Sequence, residues 1–182
     1  MPDRKRGPVN AETRECIATA MIKLVKDKPL GSISITELCR TAGVSRMAFY
    51  RNYTSKEDVL ESRLDELIVE YRSFSEPPRA QGGAWNSRAN LIQCLLFLKS
   101  NKDFLECLYR CGLTNRLLDS ITQFLIERWG DGTSEGEYAL TAFTGALCTV
   151  YVRWAIDDFM ESPHMLASLL EQSSRACPRS NS

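Results

Sequence analysis

The sequence predicts an all-α protein. Strand signals are nearly absent, because only residues 32–36 alternate polar and apolar side chains and that stretch is too short to build a sheet. Apolar residues recur at helical spacing along most of the chain, and helix-capping residues precede several of these stretches. We therefore expect a small N-terminal group of helices followed by a larger all-helical domain.

The first helix is predicted to follow a basic N-terminal arm, residues 1–9. Asn10 is a good N-cap, and the helix should end near Lys28 because Pro29 and Gly31 follow. Its apolar face comprises Ile17, Met21, Leu24 and Val25. This helix and the two short helices that follow it are assigned to one domain, residues 10–55.

Two short helices and a tight turn complete that domain. Ser34 is predicted to cap the first of them, with Glu37 completing a capping box, and Gly43 to end it in a left-handed conformation. Ser45 caps the second short helix, residues 46–52. Helices joined in this way form a helix-turn-helix, whose second helix presents its N-terminal end outwards.

A longer helix, residues 56–75, follows Ser55 and connects the two domains. Residues 76–86 contain Pro-Pro and Gly-Gly pairs that cannot continue a helix, so we expect a loop there. The C-terminal domain is predicted to span residues 87–175, before a disordered tail at 176–182. Its helices are expected at about residues 87–99, 102–111, 115–129, 134–159 and from 162 onward.

The charge of the chain is divided unevenly. Its 23 Lys and Arg residues cancel its 23 Asp and Glu residues, and a net charge of zero taken alone argues against nucleic-acid binding. Residues 1–56, however, carry 11 basic and 5 acidic residues, whereas residues 57–182 carry 12 and 18. The segment with the helix-turn-helix therefore has a net charge of +6, and the rest has −6.

Several function classes find little support. The chain has no signal-peptide pattern and no long uninterrupted apolar run, so we expect a cytoplasmic protein with no membrane association and with reduced cysteines. It has a single histidine, no Gly-rich phosphate loop and no catalytic ordering of acid, His and nucleophile. We predict no enzyme activity, no cofactor and no metal site.

Residue chemistry at the second short helix suits DNA. In the major groove, Arg46 can donate two hydrogen bonds to guanine and Met47 can contact a thymine methyl group. Tyr50, Arg51 and Lys56 are placed to contact phosphates, as are backbone N–H groups at helix starts such as that after Ser45. The alternative is a helical hairpin that binds nothing.

Residues 35–60 closely resemble the DNA-binding signature of TetR-type (TetR/AcrR) transcriptional regulators, from Ile-Thr-Glu-Leu through Ala-Gly-Val-Ser-Arg to Tyr-Thr-Ser-Lys-Glu. The resemblance implies that Arg46 and Met47 read bases, that Tyr50 and Lys56 contact phosphates and that Thr36 meets the DNA backbone. Ala48 and Asn52 depart from the residues common in the family, Thr and His, which leaves the operator sequence open.

The same resemblance implies a homodimer that binds a double-stranded palindromic operator, with the last two long helices as its interface. It also implies a ligand-responsive repressor with a small hydrophobic or amphipathic effector. Aromatic residues offer the candidate pocket lining, with packed core as the alternative: Phe97, Phe104, Tyr109, Phe124, Phe143, Tyr151 and Trp154.

Two other functions stay open. The chain can be an activator or a protein-interaction module in which DNA binding is accessory. It can also be a thiol or metal sensor that uses Cys107 and Cys111, which stand four residues apart on one helix face.

Overall fold

The computed structural model describes residues 8–74 and 86–175, and within them it contains only helices and their connections. Most of the predicted arm at residues 1–9, most of the predicted loop at 76–86 and the tail at 176–182 lie outside these residues. The prediction of an all-α chain is confirmed.

The helices are, in order, α1 (Pro8–Asp27), α2 (Ile35–Ala42), α3 (Arg46–Asn52), α4 (Lys56–Phe74), α5 (Arg88–Ser100), α6 (Lys102–Arg110), α7 (Thr114–Trp129), α8 (Ser134–Ile156) and α9 (Pro163–Arg175). A short 3-10 turn, Leu30–Ser32, lies between α1 and α2. The strand-like alternation at residues 32–36 begins at the end of this turn and runs into the first residues of α2.

Two predicted helix ends are wrong. Helix α1 begins at Pro8 rather than after Asn10, because proline fits the first turn of a helix, where its missing N–H would have no partner. Helix α8 ends at Ile156 rather than near Phe159. Asp158 and Phe159 have left-handed backbone angles, φ 51° and 57°, which the helix cannot include.

The chain divides into two compact units. The N-terminal unit comprises the described residues 8–67 together with Glu106–Leu113, and the C-terminal unit comprises 68–74, 86–105 and 114–175. The second half of α6 thus groups with the N-terminal helices, although the sequence had suggested one C-terminal domain over residues 87–175. Helix α4 contributes to both units.

Each unit has its own apolar core. In the N-terminal unit α1 packs on α2 and α3, and its buried residues include Ile17, Met21, Leu38 and Phe49. In the C-terminal unit α5 packs on α9, and α8 packs on α7 and α9, around Leu95, Leu147, Trp154 and Leu170.

Helix α8 is the single described helix that is long and apolar enough to cross a membrane. Its mean hydropathy is 1.3, and 33% of the stretch that meets this criterion is buried. Length and composition of this kind are also found in the core helices of soluble proteins, so they do not indicate a membrane protein.

Candidate nucleic-acid interface

The turn between α2 and α3 is built as predicted. Gly43 has a φ of 67°, the left-handed conformation that a residue without a Cβ adopts at low cost. Its N–H donates to the carbonyl of Arg40 at 3.2 Å, and the N–H of Val44 donates to the carbonyl of Cys39 at 3.0 Å. These bonds satisfy the last carbonyls of α2 and fix the direction in which the chain enters α3.

Side-chain caps define both helices of the motif. The hydroxyl of Ser34 accepts from the N–H of Glu37 at 3.1 Å, and the hydroxyl of Ser45 accepts from the N–H of Ala48 at 3.0 Å. At the other end of α3 the Asn52 amide donates to the carbonyl of Ala48 at 2.8 Å. Both predicted N-caps are confirmed.

A small aromatic core holds α3 in place. Phe49 is fully buried, and its ring lies 5.8 Å from that of Tyr53, which is also buried. Burial raises the pKa of Tyr53 to about 12. The guanidinium of Arg14 on α1 lies 5.2 Å from the Tyr53 ring and pairs with Glu66 on α4. The residue that follows α3 is therefore held by Arg14 of α1, which in turn pairs with Glu66 of α4.

The opposite face of α3 is exposed. Met47 retains 74% of its accessible surface and Tyr50 retains 46%, although both are large and partly apolar. The guanidinium of Arg46 lies 5.9 Å from the Tyr50 ring, which is a cation–π contact between two exposed residues. Ser45, Arg51 and Thr36 are exposed as well. Six of the seven predicted DNA-contacting residues thus stand open to solvent, and their contacts with DNA stay a prediction.

Lys56 is the seventh residue, and the structure gives it another set of partners. Its ammonium donates to the carbonyls of Leu30, Ile33 and Gly31, at 2.6, 3.0 and 3.3 Å. A lysine ammonium has three N–H donors, so these contacts use all of them. A phosphate contact by Lys56 would require at least one of these bonds to be exchanged.

The predicted pocket residues fall into separate groups. Tyr109 is 63% exposed and belongs to the N-terminal unit, whereas the other six belong to the C-terminal unit. Phe97 and Phe124 meet at Tyr71, with ring centroids 5.0 and 5.4 Å from it. Tyr151 and Trp154 meet at Phe159, at 6.1 and 4.9 Å. Phe104 and Phe143 are also buried.

Tyr71 and Phe159 are central to these groups, and the sequence analysis missed both as site residues. Tyr71 lies in the helix predicted at residues 56–75, which the sequence indicates only as the connection between two domains. Phe159 contacts Trp154 where the chain leaves α8 through residues with left-handed backbone angles. No local residue pattern predicts that conformation. The sequence therefore identifies the aromatic residues, but it does not predict which of them contact one another.

Polar atoms in these groups have different partners. The Tyr151 hydroxyl donates to the carbonyl of Leu98 at 3.4 Å, and the Trp154 indole N–H donates to the carbonyl of Glu161 at 2.8 Å. The Tyr71 hydroxyl instead shares a hydrogen bond with the thiol of Cys94. Burial raises the pKa of both, that of Cys94 to about 11.

The two predicted sensor cysteines share a hydrogen bond but are poorly activated. Cys107 is buried, and burial raises the pKa of its thiol to about 12. Burial raises the pKa of Cys111 as well. Because the thiolate is the reactive and metal-binding form, this environment favours a packing role. Among the described residues no group of three or more His, Cys, Asp or Glu side chains is placed to hold a metal ion.

Two protein-family descriptions match the chain. Residues 17–62 match the family described as bacterial regulatory proteins of the tetR family, and residues 86–175 match the one described as the C-terminal region of a transcriptional regulator. The first match contains the whole helix-turn-helix, and the second contains all of α5 to α9.

A curated relative is similar over the N-terminal region. The HTH-type transcriptional regulator EthR of Mycobacterium tuberculosis is 36% identical over 66 residues, which are 36% of this chain and 31% of the relative. The chain therefore matches less than a third of the length of this relative.

Solved structures are similar in fold over nearly the whole chain. Lin0861 from Listeria innocua has a TM-score of 0.75 at 16% identity and covers 97% of each chain. A tetR-family transcriptional regulator from Streptomyces coelicolor has a TM-score of 0.61 at 19% identity, and the similarity covers 90% of this chain and 81% of the other.

Proposed function

The chain belongs to the TetR family of transcriptional regulators, and from that premise we propose that it is a homodimeric, ligand-responsive repressor that recognises a palindromic operator through α3. Regulators of this family bind DNA operators. The proposal adds the residues that would read the operator, the interface that would pair two copies and the site that would take an effector. It also places the protein in the cytoplasm and assigns it no catalysis.

The exposed face of α3 is the observation that carries this proposal. Arg46, Met47 and Tyr50 are all exposed on this helix, whereas Phe49 is its one buried residue. Arg and Met side chains at the start of such a helix match the donors and methyl contacts that major-groove bases require. The net charge of +6 over residues 1–56 supports the same face.

DNA binding is tested by fluorescence anisotropy with the duplex that flanks the protein's own gene, at moderate salt. We expect specific binding that scrambled competitor DNA does not remove, and we expect Tyr50→Ala to weaken it. Tyr109→Ala, a similarly exposed tyrosine on α6, is the matched control and should bind as the wild type does. Binding that is equal on flanking and scrambled DNA would favour a protein-interaction module instead.

A second copy of the chain best explains the apolar surface of α8 and α9. Tyr138, Ile156 and Leu169 are 76%, 69% and 53% exposed. A single copy would leave these side chains in water, and a two-fold interface between last helices would cover them. Leu169→Glu should therefore yield a monomer in sedimentation velocity. Leu96→Glu, on α5 and 48% exposed, is the control that should stay dimeric.

The group formed by Tyr71, Phe97 and Phe124 is the proposed effector site. Its one polar atom pairs with a thiol, a weak hydrogen-bond partner, whereas Tyr151 and Trp154 already reach carbonyls. A ligand with an apolar body and one polar group would give the Tyr71 hydroxyl a stronger partner. In a thermal-shift screen of amphipathic compounds, hits should raise Tm in the wild type and less in Tyr71→Phe, with Tyr109→Phe as the control.

A further inference from the structure

Lys56 occupies an unusual position for a cation. It is the first residue of α4, and the N-terminus of a helix carries partial positive charge, so a lysine there is electrostatically unfavourable. The next two residues, Glu57 and Asp58, have the sign that this position favours. Something other than the helix dipole must therefore hold the Lys56 ammonium.

The partners of Lys56 all come from one short segment. The carbonyls of Leu30, Gly31 and Ile33 belong to the 3-10 turn and its exit, 23 to 26 residues away along the chain. The Leu30 carbonyl also accepts the N–H of Ile33 at 3.1 Å, so turn and ammonium share an acceptor. Three converging carbonyls suit the three tetrahedral N–H bonds of an ammonium.

The same segment is tied down at its other end. Lys28, directly after α1, pairs with Glu37 in the first turn of α2 at 2.5 Å. The connection between α1 and α2 is thus held to α2 by one lysine and to α4 by the other. Only three residues separate α3 from Lys56, so fixing the start of α4 also fixes where α3 ends.

We infer that Lys56 is a positioning residue, whose ammonium binds the α1–α2 connection and so holds α3 in its reading position, rather than a phosphate contact. Its effect on DNA rests on the proposed function, whereas its effect on the fold does not. The two roles differ in what they require of the side chain. A phosphate contact needs a positive charge, whereas the carbonyl contacts need three N–H donors placed as those of the Lys56 ammonium are.

Arginine at this position separates the two roles. Lys56→Arg keeps the charge, but a larger, planar guanidinium does not reproduce the three tetrahedral N–H bonds that the ammonium directs at these carbonyls. We expect Lys56→Arg and Lys56→Ala to lower Tm by a similar amount, about 3–8 °C. Lys23→Arg, at an exposed lysine of α1, is the control and should leave Tm unchanged.

Operator binding, measured well below Tm, supplies the second readout. Both Lys56 variants should bind more weakly, with the slope of log K against log [salt] unchanged, because no phosphate contact is lost. Arg51→Ala, a variant at an exposed arginine of α3, should lower that slope by about 1 and leave Tm unchanged.

Two outcomes would overturn the inference. One is a Lys56→Arg protein with the Tm and the affinity of the wild type. The other is a Lys56→Ala protein that loses about one unit of salt slope without any fall in Tm. A wild-type protein that binds no operator would contradict the proposed function alone, since the ranking of Tm values would still test the carbonyl contacts.

Discussion

Cations lie over aromatic rings in both units of this molecule, but the rings differ in exposure. In the C-terminal unit Arg72, Lys99 and Arg128 lie over Phe124, Trp154 and Trp129, at 5.3, 5.2 and 5.0 Å from the ring centroids. In the N-terminal unit Arg46 lies over the ring of Tyr50, a residue that is 46% exposed.

We expect the exposure of the ring to distinguish a contact that recognises DNA from a contact that packs a core. A cation over a buried or half-buried ring packs against an apolar core, whereas a cation over an exposed ring remains available to bind a polyanion such as DNA. The N-terminal unit also contains a contact of the buried kind, because Arg14 lies over Tyr53, which is buried. We therefore expect burial of the ring, and not the unit in which it lies, to decide the role of the contact. Four substitutions test this difference, from the largest expected effect to the smallest.

Phe49→Ala should have the largest effect, because it removes the buried ring that holds α3. Truncation of a buried Phe costs about 3–5 kcal/mol of unfolding free energy. Phe124→Ala in the C-terminal unit should cost a similar amount, as measured by urea unfolding. At a temperature where both variants are folded, only Phe49→Ala should lose operator binding, and equal loss in both would remove the distinction between the units.

Arg46→Ala should cost about 1–3 kcal/mol of binding free energy at one base position in each half-site. The measurement compares affinities for a set of operators with single base substitutions. Arg128→Ala, which removes a cation from a ring in the C-terminal unit, should leave every base preference unchanged. An equal loss at all positions for Arg46→Ala would identify Arg46 as a phosphate contact.

Arg14→Met should lower the free energy of unfolding by roughly 1 kcal/mol, since its pair with Glu66 is partly exposed to solvent. Methionine keeps the apolar part of the contact with Tyr53 and removes the charge. A double-mutant cycle with Glu66→Gln isolates the pair, and a coupling energy near zero would show that Arg14 acts through its ring contact alone.

Glu37→Gln should have the smallest effect, and it should depend on pH. The hydrogen bond from the Lys28 ammonium holds the pKa of the Glu37 carboxyl below its usual value. A depressed folded-state pKa stabilises the protein above the unfolded pKa, and this contribution is lost as pH falls through the folded pKa. Glu37→Gln should therefore have a lower Tm than the wild type at pH 7 and the same Tm as the wild type in acid. Glu12→Gln, at an exposed position, should show no such dependence.

Local interactions explain what the sequence allowed us to predict. The caps Ser34 and Ser45 bond to residues three positions ahead, and Gly43 needs only its own backbone angle, so all three follow from short windows of sequence. The exposed face of α3 also follows from a short window, because helical spacing places Met47 and Tyr50 away from Phe49.

Long-range contacts account for the rest. Lys56 reaches carbonyls 23 to 26 residues away, and its predicted phosphate role came from its place beside the helix-turn-helix and from a family pattern, neither of which specifies those partners. Tyr71 meets Phe97 and Phe124 through tertiary packing, and Phe159 depends on how the chain leaves α8. In each case the partner is chosen by the fold, which no short window contains.

Selection of bound duplexes from a randomised DNA library tests the central proposal most directly. The wild type should enrich a palindromic sequence, and Arg46→Ala should lose the preference at one symmetric pair of positions while keeping the remainder. Failure of the wild type to enrich any sequence, or an unchanged preference in Arg46→Ala, would contradict the proposal that the exposed face of α3 reads the operator.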